Sequence, residues 1–217
     1  AAEKGGIDLF MLKEIFEQPK AVAETLVGRL GEDGKLILEE MTLSVGEIAN
    51  IEKIVFVACG TAFHSGMIGK YAMERWTRIP CEVELASEFR YRDPILNNRT
   101  LVVAISQSGE TMDTLMAIRH AKSQGAKVLA ICNTQGATIP RESDAVLYTR
   151  GGPEIAVAST KAFLTQVVAV ELLSLYFAEL RLDKPTAEIK QVMNELANIS
   201  HQIDVVLDTT DAVNELA

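Results

Sequence analysis

The sequence predicts an α/β fold built on a parallel sheet, and three observations carry that expectation. Apolar runs of six or seven residues recur at 53–58, 81–86, 100–105, 126–132 and 144–149. They are rich in Val and Ile and mostly unalternating, as strands covered on both faces are. Amphipathic stretches lie between some of them, at 63–78 and 111–125. Strand–helix–strand repetition at this spacing builds parallel sheets, which bind ligands beyond the carboxyl ends of their strands.

Taken in order, the first element is the periodic stretch 7–30, a helix in which Pro19 marks a break or a restart. "KIVFVA" (53–58) is the first strand, and "CGTA" (59–62) turns it into the helix over 63–78. "CEVELA" (81–86) is the second strand. The charged segment 86–93 after it holds Glu88, Arg90 and Arg92, which suit a subunit interface, a site rim or a solvated face equally well. "TLVVAI" (100–105) is the third strand; the helix over 111–125 follows and stops at Gly125. "AKVLAIC" (126–132) and "DAVLYT" (144–149) complete the strands.

The stretch 158–180 is long and very apolar, with Ser159 or Thr160 as a helix start. Thr160, Lys161, Thr165, Gln166, Glu171 and Glu179 interrupt it, so it reads as a central buried helix and not as a membrane span. An amphipathic helix spans 186–208, and "TTDAVNELA" looks like the start of one more. That ending reads as a domain that continues.

The chain has 217 residues, 48% of them hydrophobic, enough for a sizeable core. The net charge of -9 argues against nucleic acid as the main partner, because phosphate backbones call for Lys/Arg stripes. Cys59, Cys81 and Cys132 form no CxxC pattern and read as free thiols in a reducing compartment. His64, His120 and His201 show no metal-ligand spacing. No signal peptide opens the chain, so the expectation is a soluble cytoplasmic protein with neither metal nor membrane partner.

Three loops carry candidate chemistry. In the first, Gly60 permits a tight turn or a close backbone approach, and Thr61 can cap the next helix or donate to a ligand. The second, "SQSGET" (106–111), sets Ser106, Gln107, Ser108, Gly109 and Thr111 at a strand exit. A helix starting near Thr111 presents unpaired N–H groups to an anion, with hydroxyl and amide donors beside them. One cap needs one hydroxyl; three plus a glycine make a neutral phosphate cradle. Glu110 must then point away from the anion. The third, "GGPEIAVASTKAF" (151–163), contains Lys161, which is open to binding phosphate, pairing with Glu154 or forming another structural ion pair. His64 is a general base by residue type, but no orienting partner is visible, which favours packing or an interface.

These motifs resemble the sugar isomerase (SIS) domain family of phosphosugar-binding proteins. "KEIFEQPKA", "ACGTAFHSGMIGKY", "IPCEVELASEFRYRDP", "SQSGETMDTL", "ICNTQGATIPRESD" and "EIAVASTKAFLTQ" are similar, in order, to the isomerase part of the glutamine–fructose-6-phosphate aminotransferases, or glucosamine-6-phosphate synthases. The resemblance runs from about Lys4 through 180 and more loosely to the end. It implies a three-layer α/β domain with a five-stranded parallel sheet in flavodoxin-like order. The implied organisation is an N-terminal helical segment (1–45), the SIS domain (46–182) and a C-terminal helical segment (183–217) leading to a second SIS domain.

The resemblance also implies a reaction: fructose 6-phosphate is aminated with ammonia from glutamine and isomerised to glucosamine 6-phosphate, without a cofactor. The family's substrate contacts map onto Gly60, Thr61, Ala62, Ser106, Gln107, Ser108, Thr111, Val157, Ala158 and Ser159. Ser106, Ser108 and Thr111 would hold the phosphate. The family often has Ser where this chain has Ala62. The family's catalytic Glu, His and Lys match nothing here. The chain therefore reads as an excised first SIS domain, homodimeric, that grips substrate and does not turn it over alone. Alternatives within the family are a fructosamine-6-phosphate deglycase, which gives no reason for "KEIFEQP", and a non-catalytic phosphosugar sensor, whose helix-turn-helix is not seen.

Overall fold

The computed structural model describes residues 6–7, 9–31, 35–181, 187–210, 213 and 215. Among them, β1 (Lys53–Ala58), β2 (Cys81–Leu85), β3 (Thr100–Ser106), β4 (Lys127–Cys132) and β5 (Ala145–Tyr148) form one sheet. The order is β2-β1-β3-β4-β5 and every pairing is parallel. This is the expected fold, with strand ends within a residue of those read from the apolar runs. Ala86 leaves its run to begin a helix, and the Asp144 carboxylate instead accepts the Val128 N–H at 2.8 Å.

Alternate strand residues face opposite layers. Ile54, Phe56, Leu101, Val103, Leu129 and Ile131 pack under α4 (Gly60–Thr77) and α8 (Lys161–Arg181). Val55, Val57, Val102, Ala104, Val128 and Ala130 pack under α5 (Ala86–Arg92), α6 (Met112–Ser123) and α7 (Thr138–Glu142). Both faces are covered, which explains why the runs do not alternate in polarity.

The helix over 7–30 is two helices, α1 (Phe10–Phe16) and α2 (Gln18–Leu26), with the break at Glu17 and Pro19 in the first turn of α2. That is a restart, where the missing proline N–H costs nothing. By length and composition α8 could cross a membrane. Instead, Ala169, Val170, Leu173 and Phe177 face the sheet, while Val168, Leu172, Leu175 and Ala178 face α2 and α9 (Ala187–Leu207). Burial on both sides accounts for its apolar character.

Three short helices differ from the sequence reading. α3 (Val45–Ala49) carries a full capping box between Ser44 and Glu47. α5 occupies the charged segment after β2, and α7 follows β4. Each spans seven residues or fewer, too short to show a helical period. The stretch read as a new helix at 209–217 falls largely outside the described residues, as does Lys4.

Candidate functional site

The strand order reverses between β1 and β3. The chain leaves β1 toward β2 on one side and leaves β3 toward β4 on the other. Ala58 lies beside Ile105 in the register, so the two strand exits open side by side. In open α/β sheets this switch point is where ligands bind.

A cavity of about 480 Å³ lies there, lined by Cys59–Ala62, Ile105–Ser108, Thr111, Glu154, Ala156–Ser159 and Gln166. Ligand sites typically measure roughly 300–1,000 Å³. All ten residues named from the sequence as substrate contacts fall in this one lining. His64, Glu88, Arg90 and Arg92 do not. His64 is exposed with its ring edge-on to Phe63, Arg92 grips Glu84, and Arg90 lies over the Tyr91 ring.

Three helices start at the cavity. The N-cap residues of α4 and α6, Cys59 and Thr111, make no side-chain cap. Their first N–H groups therefore remain available to an anion. α8 differs: the Glu154 carboxylate accepts the N–H groups of Thr160 at 2.9 Å and Ala162 at 3.2 Å. The helix starts left open are thus those of α4 and α6. No Lys, Arg or His is among the lining residues, so the donors are neutral.

The second loop is braced from within. The Gly109 N–H donates to Ser106 Oγ at 3.0 Å, the Ser106 and Thr111 hydroxyls sit 3.0 Å apart, and the Glu110 N–H donates to Ser108 Oγ at 3.2 Å. Gly109 has φ 69°, and a Cβ there would lie 2.6 Å from Ala137 Cβ and 2.7 Å from Cys132 Sγ. Only glycine fits. Glu110 points away, as expected: its carboxylate accepts the Thr138 N–H at 2.7 Å, at the start of α7. Those Thr138 hydrogen bonds hold the Glu110 carboxyl below its ordinary range.

The third loop is held from outside as well as by its own Glu154. Lys161 neither faces the cavity nor pairs with Glu154. Its ammonium meets the Glu17 carboxylate at 2.6 Å, and the side chain is buried. Asn133 stitches the loop to β4: its Oδ1 accepts the Gly151 N–H at 2.8 Å and its Nδ2 donates to the Gly152 carbonyl at 2.7 Å. Buried Glu14 accepts the N–H groups of Ile155 and Ala156.

Sequence reasoning missed Glu14, Asn133 and Gln166. Glu14 and Asn133 sit inside the quoted motifs without an assigned role. Gln166 was legible only as a polar interruption of an apolar helix. It is buried, lines the cavity, and its Oε1 has no hydrogen-bond partner among the described residues. Burial pushes the Cys132 thiol up to about 11 and the Cys81 thiol up to about 12, so both are protonated at neutral pH.

The SIS domain family model matches residues 47–176. Glutamine–fructose-6-phosphate aminotransferase [isomerizing] of Streptomyces coelicolor is 65% identical over 217 residues, covering 100% of this chain and 35% of that protein. The Mycobacterium tuberculosis enzyme of the same name is 60% identical with the same coverage. The chain therefore spans about a third of the length of these curated relatives. The C-terminal domain of glucosamine-fructose-6-phosphate aminotransferase from Francisella tularensis superposes with a TM-score of 0.93 at 39% identity, over 99% of this chain and 60% of that one. A glucosamine-6-phosphate deaminase from Thermotoga maritima shares the fold, with a TM-score of 0.67 at 21% identity over 86% of this chain and 53% of that one. With the switch-point cavity and the family match over the whole sheet, this chain belongs to the SIS domain family.

Proposed function

We propose that the cavity binds a hexose 6-phosphate, fructose 6-phosphate or glucosamine 6-phosphate, for a glutamine–fructose-6-phosphate aminotransferase. The observation that carries this is the pair of uncapped helix starts, α4 and α6, opening with neutral donors into one cavity. Ser106, Ser108 and Thr111 serve the phosphate; Val157, Ala158 and Ser159 line the sugar. An ordinary helix-end charge effect is worth only about 0.3–1 kcal/mol, so affinity comes from several hydrogen bonds acting together.

Residues 46–182 are the SIS unit in this reading, with 1–45 and 183–217 as helical flanks. The working protein is a cytoplasmic homodimer, and amination and isomerisation use groups that these residues do not supply. The names of the two curated relatives at 65% and 60% identity support the choice of enzyme.

Calorimetry tests the binding step. Fructose 6-phosphate should bind and unphosphorylated fructose should give no detectable heat. Equal binding of the two would remove the phosphate cradle from the account.

A further inference from the structure

The wall formed by Val157, Ala158 and Ser159 has no apolar packing of its own to place it. Val157 is 105% exposed and Ile155 51% exposed, so burial does not fix this segment. It is fixed by two carboxylates, one on each side. Glu154 binds the N–H groups that follow it, at Thr160 and Ala162. Glu14 binds the N–H groups that precede it: Ile155 at 2.5 Å to Oε1, and Ala156 at 3.3 Å to Oε1 and 3.2 Å to Oε2.

Glu14 is 2% exposed and comes from α1, 141 residues away in sequence. A carboxylate is buried at this depth only when its charge is hydrogen-bonded. Here its bonds go to the two amides that lead into the cavity wall. Charge-assisted bonds of this kind are about twice as strong as neutral ones.

We infer that Glu14 is a positioning residue for the sugar end of the ligand: it holds the 155–158 wall in the conformation that contacts the sugar, and has no part in the phosphate cradle. The inference rests on the hexose 6-phosphate reading above. A ligand that needs the wall in place loses apparent affinity in proportion to the fraction of chains whose wall has left it. A ligand that touches only the 106–111 loop loses nothing.

The test is Glu14→Gln in the full chain, titrated by NMR with fructose 6-phosphate and with inorganic phosphate. Fructose 6-phosphate should bind about tenfold more weakly, while inorganic phosphate changes by less than about twofold. Amide exchange at Ile155 and Ala156 should speed up in parallel. Equal weakening of both ligands would mean a general structural role and overturn the inference, as would no change in either. A wild-type chain that binds neither ligand would overturn the hexose 6-phosphate reading and this inference with it. Should Glu14→Gln not fold, wild-type exchange decides. Protected Ile155 and Ala156 amides that slow further with fructose 6-phosphate, and not with inorganic phosphate, support the inference; amides exchanging at free-loop rates overturn it.

Discussion

The loop after β3 has a hydroxyl brace made by its own residues, whereas the loop after β5 adds to its own Glu154 side-chain anchors from elsewhere in the chain. In the first case Ser106, Ser108, Gly109, Glu110 and Thr111 bond within five positions of one another. In the second, Glu14, Glu17 and Asn133 reach the loop from separations of 141, 144 and 18 residues. Both loops line the same cavity. The loop after β3 is anchored besides at the next strand exit, where Gln107 and Gly109 carbonyls accept the Asn133 and Ile139 N–H groups. The 155–158 wall takes one of its two carboxylate anchors, Glu14, from α1, so its geometry depends in part on the fold outside the sheet.

The most damaging change to the loop after β3 is Gly109→Ala. It puts a Cβ on a left-handed backbone and into contact with Ala137 and Cys132. The strained conformation costs about 1–2 kcal/mol and the overpacking about 1–3 kcal/mol. Urea unfolding should show a loss of about 3 kcal/mol, and calorimetry should show no fructose 6-phosphate binding. A variant with wild-type stability would mean that the loop has slack, and the contrast between the loops would weaken.

The matching change on the other loop is Glu17→Gln, which leaves the buried Lys161 ammonium without its charge partner. Fully buried pairs cost about 3–5 kcal/mol when broken. Glu17 is 33% exposed, and solvent screening lowers the expected loss to about 1–2 kcal/mol. The pH dependence gives an independent check. Burial pushes the Glu17 carboxyl up, but Lys161, helped by Lys13, outweighs that and leaves it below its ordinary value. A lowered carboxyl contributes stability that is complete above the ordinary carboxylate range and lost as pH falls toward the folded value. Wild type and Glu17→Gln should therefore differ at pH 7 and converge in acid. Parallel curves across that range would remove the ion pair as the anchor.

The same contrast separates what was legible in the sequence from what was not. The sheet was legible because strands buried on both faces are continuous apolar runs, as in "KIVFVA" and "TLVVAI". The 106–111 cradle was legible because its hydroxyls act on near neighbours, and its glycine was visible as a turn residue although the atoms that require it, on Ala137 and Cys132, were not. Lys161 was seen as a cation, but its partner was not, because Glu17 comes close only once α2 packs on α8. Glu14 looked like any acidic residue in an amphipathic stretch; only the fold shows that it faces inward. Short helices such as α3 and α7 lacked the length for a period, although the Ser44–Glu47 capping box was in plain view.

The smallest expected effect belongs to the first loop. Ala62 lines the cavity at the start of α4 and carries no polar atom there. Ala62→Ser adds one hydroxyl beside a helix start that already lacks a side-chain cap. A neutral hydrogen bond is worth about 0.5–1.5 kcal/mol net, so affinity for fructose 6-phosphate should rise by about two- to tenfold. The site is 92% buried, and Ser is only one oxygen larger than Ala, so thermal stability should change little. The gain should appear equally for inorganic phosphate, since the hydroxyl serves the anion and not the sugar. Such a result would place the first loop with the second, on the anion side of the cavity. A gain for the sugar phosphate without one for inorganic phosphate would instead put position 62 on the sugar side of the cavity, with the loop after β5.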